Sequence, residues 1–229
     1  MILFLPGLIC DRSIYATQIA AFSDACVVDG YGMADTLPTM ARIALDQAPE
    51  GEFDLFGHSM GGRVALEVFR LAPGRVRRIA LVSTGVHSLR PGEAEKREAL
   101  KAIGYNHGFE RLVDEWLPPM VAPANRATDY YSEMREMCLA AGQDVFDAQI
   151  HALVNRPEQE SLLGEIECPA LVMTGEEDSW ASPSQHEAIA ARIPDAELVV
   201  VTGAGHMIMR EAPDAVNDAI SGWLERPAA

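Results

Sequence analysis

The chain has 229 residues, of which 48% are hydrophobic and 23% charged, an ordinary globular composition long enough to bury a core without disulfide staples. Its 34 acidic against 18 basic side chains give a net charge of −16, which excludes the basic footprint that nucleic-acid binding requires. Four scattered cysteines (Cys10, Cys26, Cys138, Cys168) show neither CxxC spacing nor a Cys/His cluster, so free thiols in a reducing compartment are expected and a zinc site is not.

In chain order, the first apolar run is "ILFLP" at 2–6. It is short and has no basic residues before it, unlike a signal peptide, and nothing in the chain approaches the roughly 20 apolar residues of a membrane span. A soluble cytoplasmic protein is therefore the expectation. Further β-type runs follow: "ACVVDG" at 25–30, "FDLFG" at 53–57, "RIALVST" at 78–84, "ALVMTG" at 170–175 and "AELVVVTG" at 196–203. They hardly alternate, as befits strands covered on both faces. Helical patterns at 36–48, 60–72, 183–192 and 212–225 intervene, the last announced by Pro213 and Asp214. The alternation predicts an α/β fold with a mostly parallel sheet of about six strands and helices on both faces.

The alternation breaks once, between Thr84 and Ala170. The intervening residues read as helices: "GEAEKREALKAIG", "GFERLVDEWL", "ANRATDYYSEMREMCLAAG" and "QDVFDAQIHALV", interrupted by Pro118-Pro119 and Pro123. A structureless loop of that length is improbable in a compact fold, so an inserted helical cap over residues 87–165 is expected. The core would then comprise 1–86 and 166–229.

"GHSMGG" at 57–62 lies where the run "FDLFG" gives way to the helix "RVALEVFRLA". A serine between glycines at a strand–turn–helix junction is the context of a nucleophile elbow; the competing reading is a tight turn with a helix-capping serine. A serine hydroxyl needs a base to become a nucleophile. Of six histidines, His58 is pinned in the turn and packs beside the serine. His87, His107 and His151 belong to the insertion, and His186 sits in a polar helix where solvent exposure is expected. His206 follows a strand in the loop "GAGHMI" and is the predicted base. The orienting acid is expected at the end of the preceding strand, in "GEEDSWASP": Asp178 is the choice, with Glu177 the fallback.

With its serine, acid and histidine in that order, the chain resembles an α/β-hydrolase fold serine hydrolase over nearly its whole length, on the segments "GHSMGG", "GEEDSWASP", "GAGHMI" and the return to the core "NRPEQESLLGEIECPALVMTGEED". The resemblance implies an oxyanion hole made by the backbone N–H groups of Met60 and of Leu8 in "LPGLICD", with Pro6 where the family usually has histidine. It also implies that the family's first two strands are absent. No metal or cofactor is implied.

The expected chemistry is cleavage of a small to medium carboxylic ester through an acyl-enzyme. C–C or enol-lactone hydrolysis on the same triad is the alternative within the family, and a non-catalytic small-ligand receptor is the alternative of another class. The serine at the elbow argues against haloalkane dehalogenases and epoxide hydrolases, which carry aspartate there. Trp116, Met120, Tyr130 and Trp180 are the predicted substrate-binding residues, with Tyr131, Met134, Met137 and Phe146 as further candidates. Arg126, Arg135 and Arg156 are candidates to meet a substrate carboxylate, against the plainer reading of surface ion pairs. The partner is expected to be a small molecule, with the oligomeric state unassigned.

Overall fold

Six parallel strands form one sheet in the order β2-β1-β3-β4-β5-β6. They are β1 (Ile2–Leu5), β2 (Ala25–Val27), β3 (Phe53–His58), β4 (Val76–Val82), β5 (Ala170–Gly175) and β6 (Ala196–Val201), in a computed structural model that describes residues 1–228. The central strands β1, β3 and β5 are buried at every position, which is why their sequences do not alternate. The edge strands differ: β6 is only partly covered, and β2 is shorter than its apolar run, ending at Val27 ahead of Gly30, which takes a positive φ of 75°.

The helices α1 (Ala16–Ala21), α2 (Leu37–Gln47), α3 (Met60–Leu71), α7 (Pro183–Ala190), α8 (Ile208–Glu211) and α9 (Pro213–Glu225) belong to the sheet layer. The short α1 has no counterpart in the sequence reading. It is fixed from outside its own span, by Tyr15 buried against Phe4 and Phe56 with its hydroxyl donating to Leu5 O at 2.7 Å. No helix among the described residues is long and apolar enough to cross a membrane.

Between β4 and β5 lie α4 (Glu93–His107), α5 (Phe109–Trp116) and α6 (Asp129–Val154), with no strand among them. Gly142, at φ 80° and ψ 167°, kinks α6 at the place where the sequence reads as two helices. This insertion is tied to the loops beyond the carboxyl ends of the strands. Gln149 Oε1 accepts from Ile9 N–H at 2.7 Å after β1, and Met120 O accepts from His206 N–H at 2.7 Å after β6.

Strand order reverses between β1 and β3, since β1 pairs with β2 on one side and β3 on the other. In open α/β sheets the crevice outside the carboxyl ends of the strands at such a reversal is where ligands bind. The loops leaving β1 and β3 are those of Leu8 and Ser59.

Candidate active site

The turn after β3 is built by close approach. A Cβ on Gly57 would sit 2.7 Å from Gly62 Cα, and one on Gly61 would sit 2.6 Å from Pro6 O and closer still to Leu5 O. With both positions bare, α3 can start directly against β1. Ser59 takes φ 55° and ψ −118°, a conformation that costs a non-glycine residue about 1–3 kcal/mol. It is held there by Ser59 N–H donating to Val82 O at 2.9 Å and by Thr84 Oγ1 donating to Ser59 O at 2.6 Å. Among the described residues the non-glycine positive-φ positions are Ile9, Ser59 and Ser83, on the loops leaving β1, β3 and β4. Backbone strain is thus concentrated around one crevice.

His206, from the loop after β6, lies with Nε2 2.8 Å from Ser59 Oγ and Nδ1 2.8 Å from Asp178 Oδ2. A carboxylate only accepts, so Nδ1 carries the proton and Nε2 is left with its lone pair toward the serine. Asp178 is buried at the end of β5, and its Oδ1 accepts from the amides of Trp180 at 2.9 Å and Ala181 at 2.8 Å. Burial alone would raise its carboxyl; the facing His206, by charge and hydrogen bond, and the two amides outweigh it and bring the pKa down to about 2. Glu177, the fallback acid, is exposed to solvent.

Two further imidazoles lie close by. His58 is buried, donates from Nε2 to His206 O at 3.0 Å, and has its pKa pushed down to about 3 by burial and by His206. It therefore steadies the loop of His206 as a neutral group. His186 corrects the sequence expectation of exposure: it is fully buried, accepts from Thr84 N–H at 3.1 Å and donates to Ser182 O at 3.1 Å. The polar residues of its helix flank it in sequence but lie on another face.

Met60 N–H and Leu8 N–H find no protein acceptor among the described residues, and both residues line the same cleft as Ser59. The cleft has a volume of about 390 Å³. Trp116, Met120 and Trp180 line it, as do Ile150 and Leu153 from the second half of α6. Tyr130 does not: it sits on the first turn of α6, half-buried away from the cleft. Met134, Met137 and Phe146 are core residues of the insertion, with Phe146 packed edge-on against Trp116 at 6.2 Å.

The three arginines singled out from sequence are engaged elsewhere. Arg126 donates to Val121 O, Arg135 pairs with Asp114 and Glu110, and Arg156 is buried against Glu93. A different set of cations lines the cleft: Arg63 on α3, Arg90 before α4, and Lys96 and Arg97 on α4. Sequence reasoning missed them: α3 also carries Glu67 and Arg70, so the charge of Arg63 does not stand out along the chain. Among the described residues no group of acidic, histidine and cysteine side chains is arranged to hold a metal ion.

A model of the alpha/beta hydrolase family matches residues 2–219. The chain is 28% identical over 227 residues to the dihydrolipoyllysine-residue acetyltransferase component of an acetoin cleaving system from Pseudomonas putida, covering 96% of this chain and 58% of that protein. It is 27% identical over 205 residues to a 2-hydroxy-6-oxononadienedioate/2-hydroxy-6-oxononatrienedioate hydrolase from Cupriavidus pinatubonensis, covering 86% of this chain and 71% of that one. Among solved structures, a thermophilic esterase from Thermogutta terrifontis superimposes with a TM-score of 0.86 at 26% identity, covering 97% of this chain and 88% of that chain.

Proposed function

The chain belongs to the alpha/beta hydrolase family, and from that premise we propose that it is a serine hydrolase cleaving a small to medium carboxylic ester of a small-molecule substrate. The observation that carries the reading is the continuous relay from Ser59 Oγ through His206 to Asp178, with both links at 2.8 Å.

In this mechanism Ser59 Oγ attacks the ester carbonyl while its proton passes to His206 Nε2. The carbonyl oxygen gains charge and is met by the N–H groups of Met60 and Leu8, which have no other acceptor to leave. Collapse expels the alkoxide, which takes the proton from Nε2, and the acyl group remains on Ser59. Water then attacks the acyl-enzyme, with Nε2 as base, and releases the acid. Asp178, ionised at any working pH, holds the imidazole in the required tautomer. The helices within residues 87–165 act as a cap on a core of 1–86 and 166–229, with Trp116 and Met120 from the cap and Trp180 from the core contacting substrate. The four free cysteines support a cytoplasmic location.

The relative from Cupriavidus pinatubonensis, named for hydrolysis of an oxo-dienedioate, favours a second reading in which the same relay cleaves a C–C or enol-lactone bond. A fluorophosphonate probe together with a panel of 4-nitrophenyl esters, a lactone and a vinylogous ketone tests both. Labelling that disappears in Ser59→Ala, with ester turnover, is the expected result. Labelling with turnover of the ketone or lactone alone selects the second reading, and absence of labelling in folded protein would replace both with a ligand-binding role.

A further inference from the structure

The chain carries 34 acidic and 18 basic side chains, yet the cleft reverses that balance, with Arg63, Arg90, Lys96 and Arg97 lining it against the single carboxylate of Glu93. That carboxylate is already spent. Glu93 accepts from Arg156 through Nη1 at 2.8 Å and Nη2 at 2.6 Å, and from Arg97 Nη2 at 2.9 Å. Among the described residues Arg63, Arg90 and Lys96 have no ion-pair partner. Two of these, Arg90 and Lys96, are exposed and solvated, and alone would mean nothing.

Arg63 is different, being only 6% exposed. A buried guanidinium without a counter-ion is expensive, and folds avoid one unless something else compensates it. Its protein bonds are two long ones to neutral groups, His87 O at 3.3 Å and Gln159 Oε1 at 3.4 Å, and both use Nη1. Nε and Nη2 make no hydrogen bond among the described residues. Those two atoms form one edge of the guanidinium, the side-on fork that meets both oxygens of a carboxylate. A second, independent orphan lies in the same cleft: the buried hydroxyl of Ser83, held at φ 46°, has no partner. The local field has the same sign. Burial, with Arg63, Arg90 and Arg156 nearby, pushes the His87 imidazole down to about 4, so it stays neutral and competes for no anion.

We propose that this face of the cleft, formed by α3, the loop after β4 and the first turns of α4, is an anion subsite that holds a carboxylate carried by the substrate. Arg63 receives it side-on, Ser83 donates a further hydrogen bond, and Arg90 and Lys96 draw it in from the rim. The substrate is then an ester of a dicarboxylic acid or of a carboxylate-bearing alcohol, an inference that takes the word substrate from the serine-hydrolase reading but whose binding claim stands apart from it.

The test uses glutarate and its uncharged counterpart glutaramide. Binding to Ser59→Ala protein, measured by calorimetry at low salt, is expected to favour glutarate by about tenfold to a hundredfold, the discrimination a charged hydrogen-bonded pair provides. Arg63→Gln should remove most of it. Because that variant changes a buried residue, the rim double variant Arg90→Gln/Lys96→Gln serves as a second probe and should reduce the discrimination severalfold, as added salt should in the parent. In the active protein, mono-4-nitrophenyl glutarate should exceed methyl 4-nitrophenyl glutarate in kcat/KM, and 4-acetoxybenzoate against its methyl ester tests the alcohol side. Equal affinity for glutarate and glutaramide, or discrimination untouched by either variant, overturns the subsite. Inorganic phosphate binding more tightly than glutarate overturns the assignment to carboxylate. Glutarate binding without esterase turnover or fluorophosphonate labelling would leave the subsite standing and remove the hydrolase reading.

Discussion

At the scale of single residues, the relay is asymmetric in what each member tolerates. Asp178 never touches substrate in the proposed mechanism; it fixes which ring nitrogen of His206 holds the proton. Asparagine in its place would fill the same space yet favour the wrong tautomer. Asp178→Asn is accordingly expected to lower kcat by about 10³–10⁴ with the fold intact, checked by turnover and circular dichroism. Near-normal turnover would transfer the role to Glu177, which stands exposed in the same turn. These positions were legible in the sequence because each follows an unmistakable strand: Ser59 after "FDLFG", Asp178 after "ALVMTG", His206 after "AELVVVTG". Arg63 was not picked out because its meaning is relational. A charge four residues past the serine becomes informative only when the fold shows it buried and, among the described residues, without an ion pair.

At the scale of elements, the loop after β1 is coupled to the insertion by one buried bond. Ile9, at φ 48°, presents its N–H to Gln149 on α6, one residue from the Leu8 amide assigned to the oxyanion. Gln149→Leu would leave the Ile9 amide unpaired and the strained turn unsupported, at a cost of about 1–3 kcal/mol in stability. If the bond positions the oxyanion donor, kcat should fall about tenfold with KM little changed, and Gln149→Glu, which keeps the acceptor, should recover most of the loss. A fall in stability with unchanged kcat in Gln149→Leu would reduce the residue to a packing role. Such couplings span more than a hundred positions and leave no local trace. The strands and the kink of α6 at Gly142 were readable from short-range pattern, whereas α1, whose anchor Tyr15 packs on two strands, was not.

At the scale of the whole molecule, Ser59, Asp178 and His206 follow three different strands, β3, β5 and β6, so the relay exists only when the sheet is assembled, and its charges report on global stability. Asp178 and Glu93 both have folded-state carboxyls near 2 against ordinary values of 3.8 and 4.5. In each, burial opposes the shift and is overridden, in one case by the charge and hydrogen bond of His206 together with two amides, in the other by hydrogen bonds from Arg156, the Arg90 amide and Arg97. A lowered folded pKa means stability that is fully present above the unfolded value and drains away as pH falls through the folded one, here from about pH 4.5 toward 2. For Asp178 the sum is about 2 kcal/mol. The net charge of −16 acts in the opposite sense, because protonating surface carboxylates first relieves self-repulsion. The two effects together predict a urea midpoint that rises slightly from pH 7 to about 5 at low salt and drops steeply below about 4. In Asp178→Asn, which has nothing to titrate at that position, the drop should be shallower by the same 2 kcal/mol or so. An acid limb of equal steepness in the variant would show that the buried carboxylate is not what the folded state loses in acid.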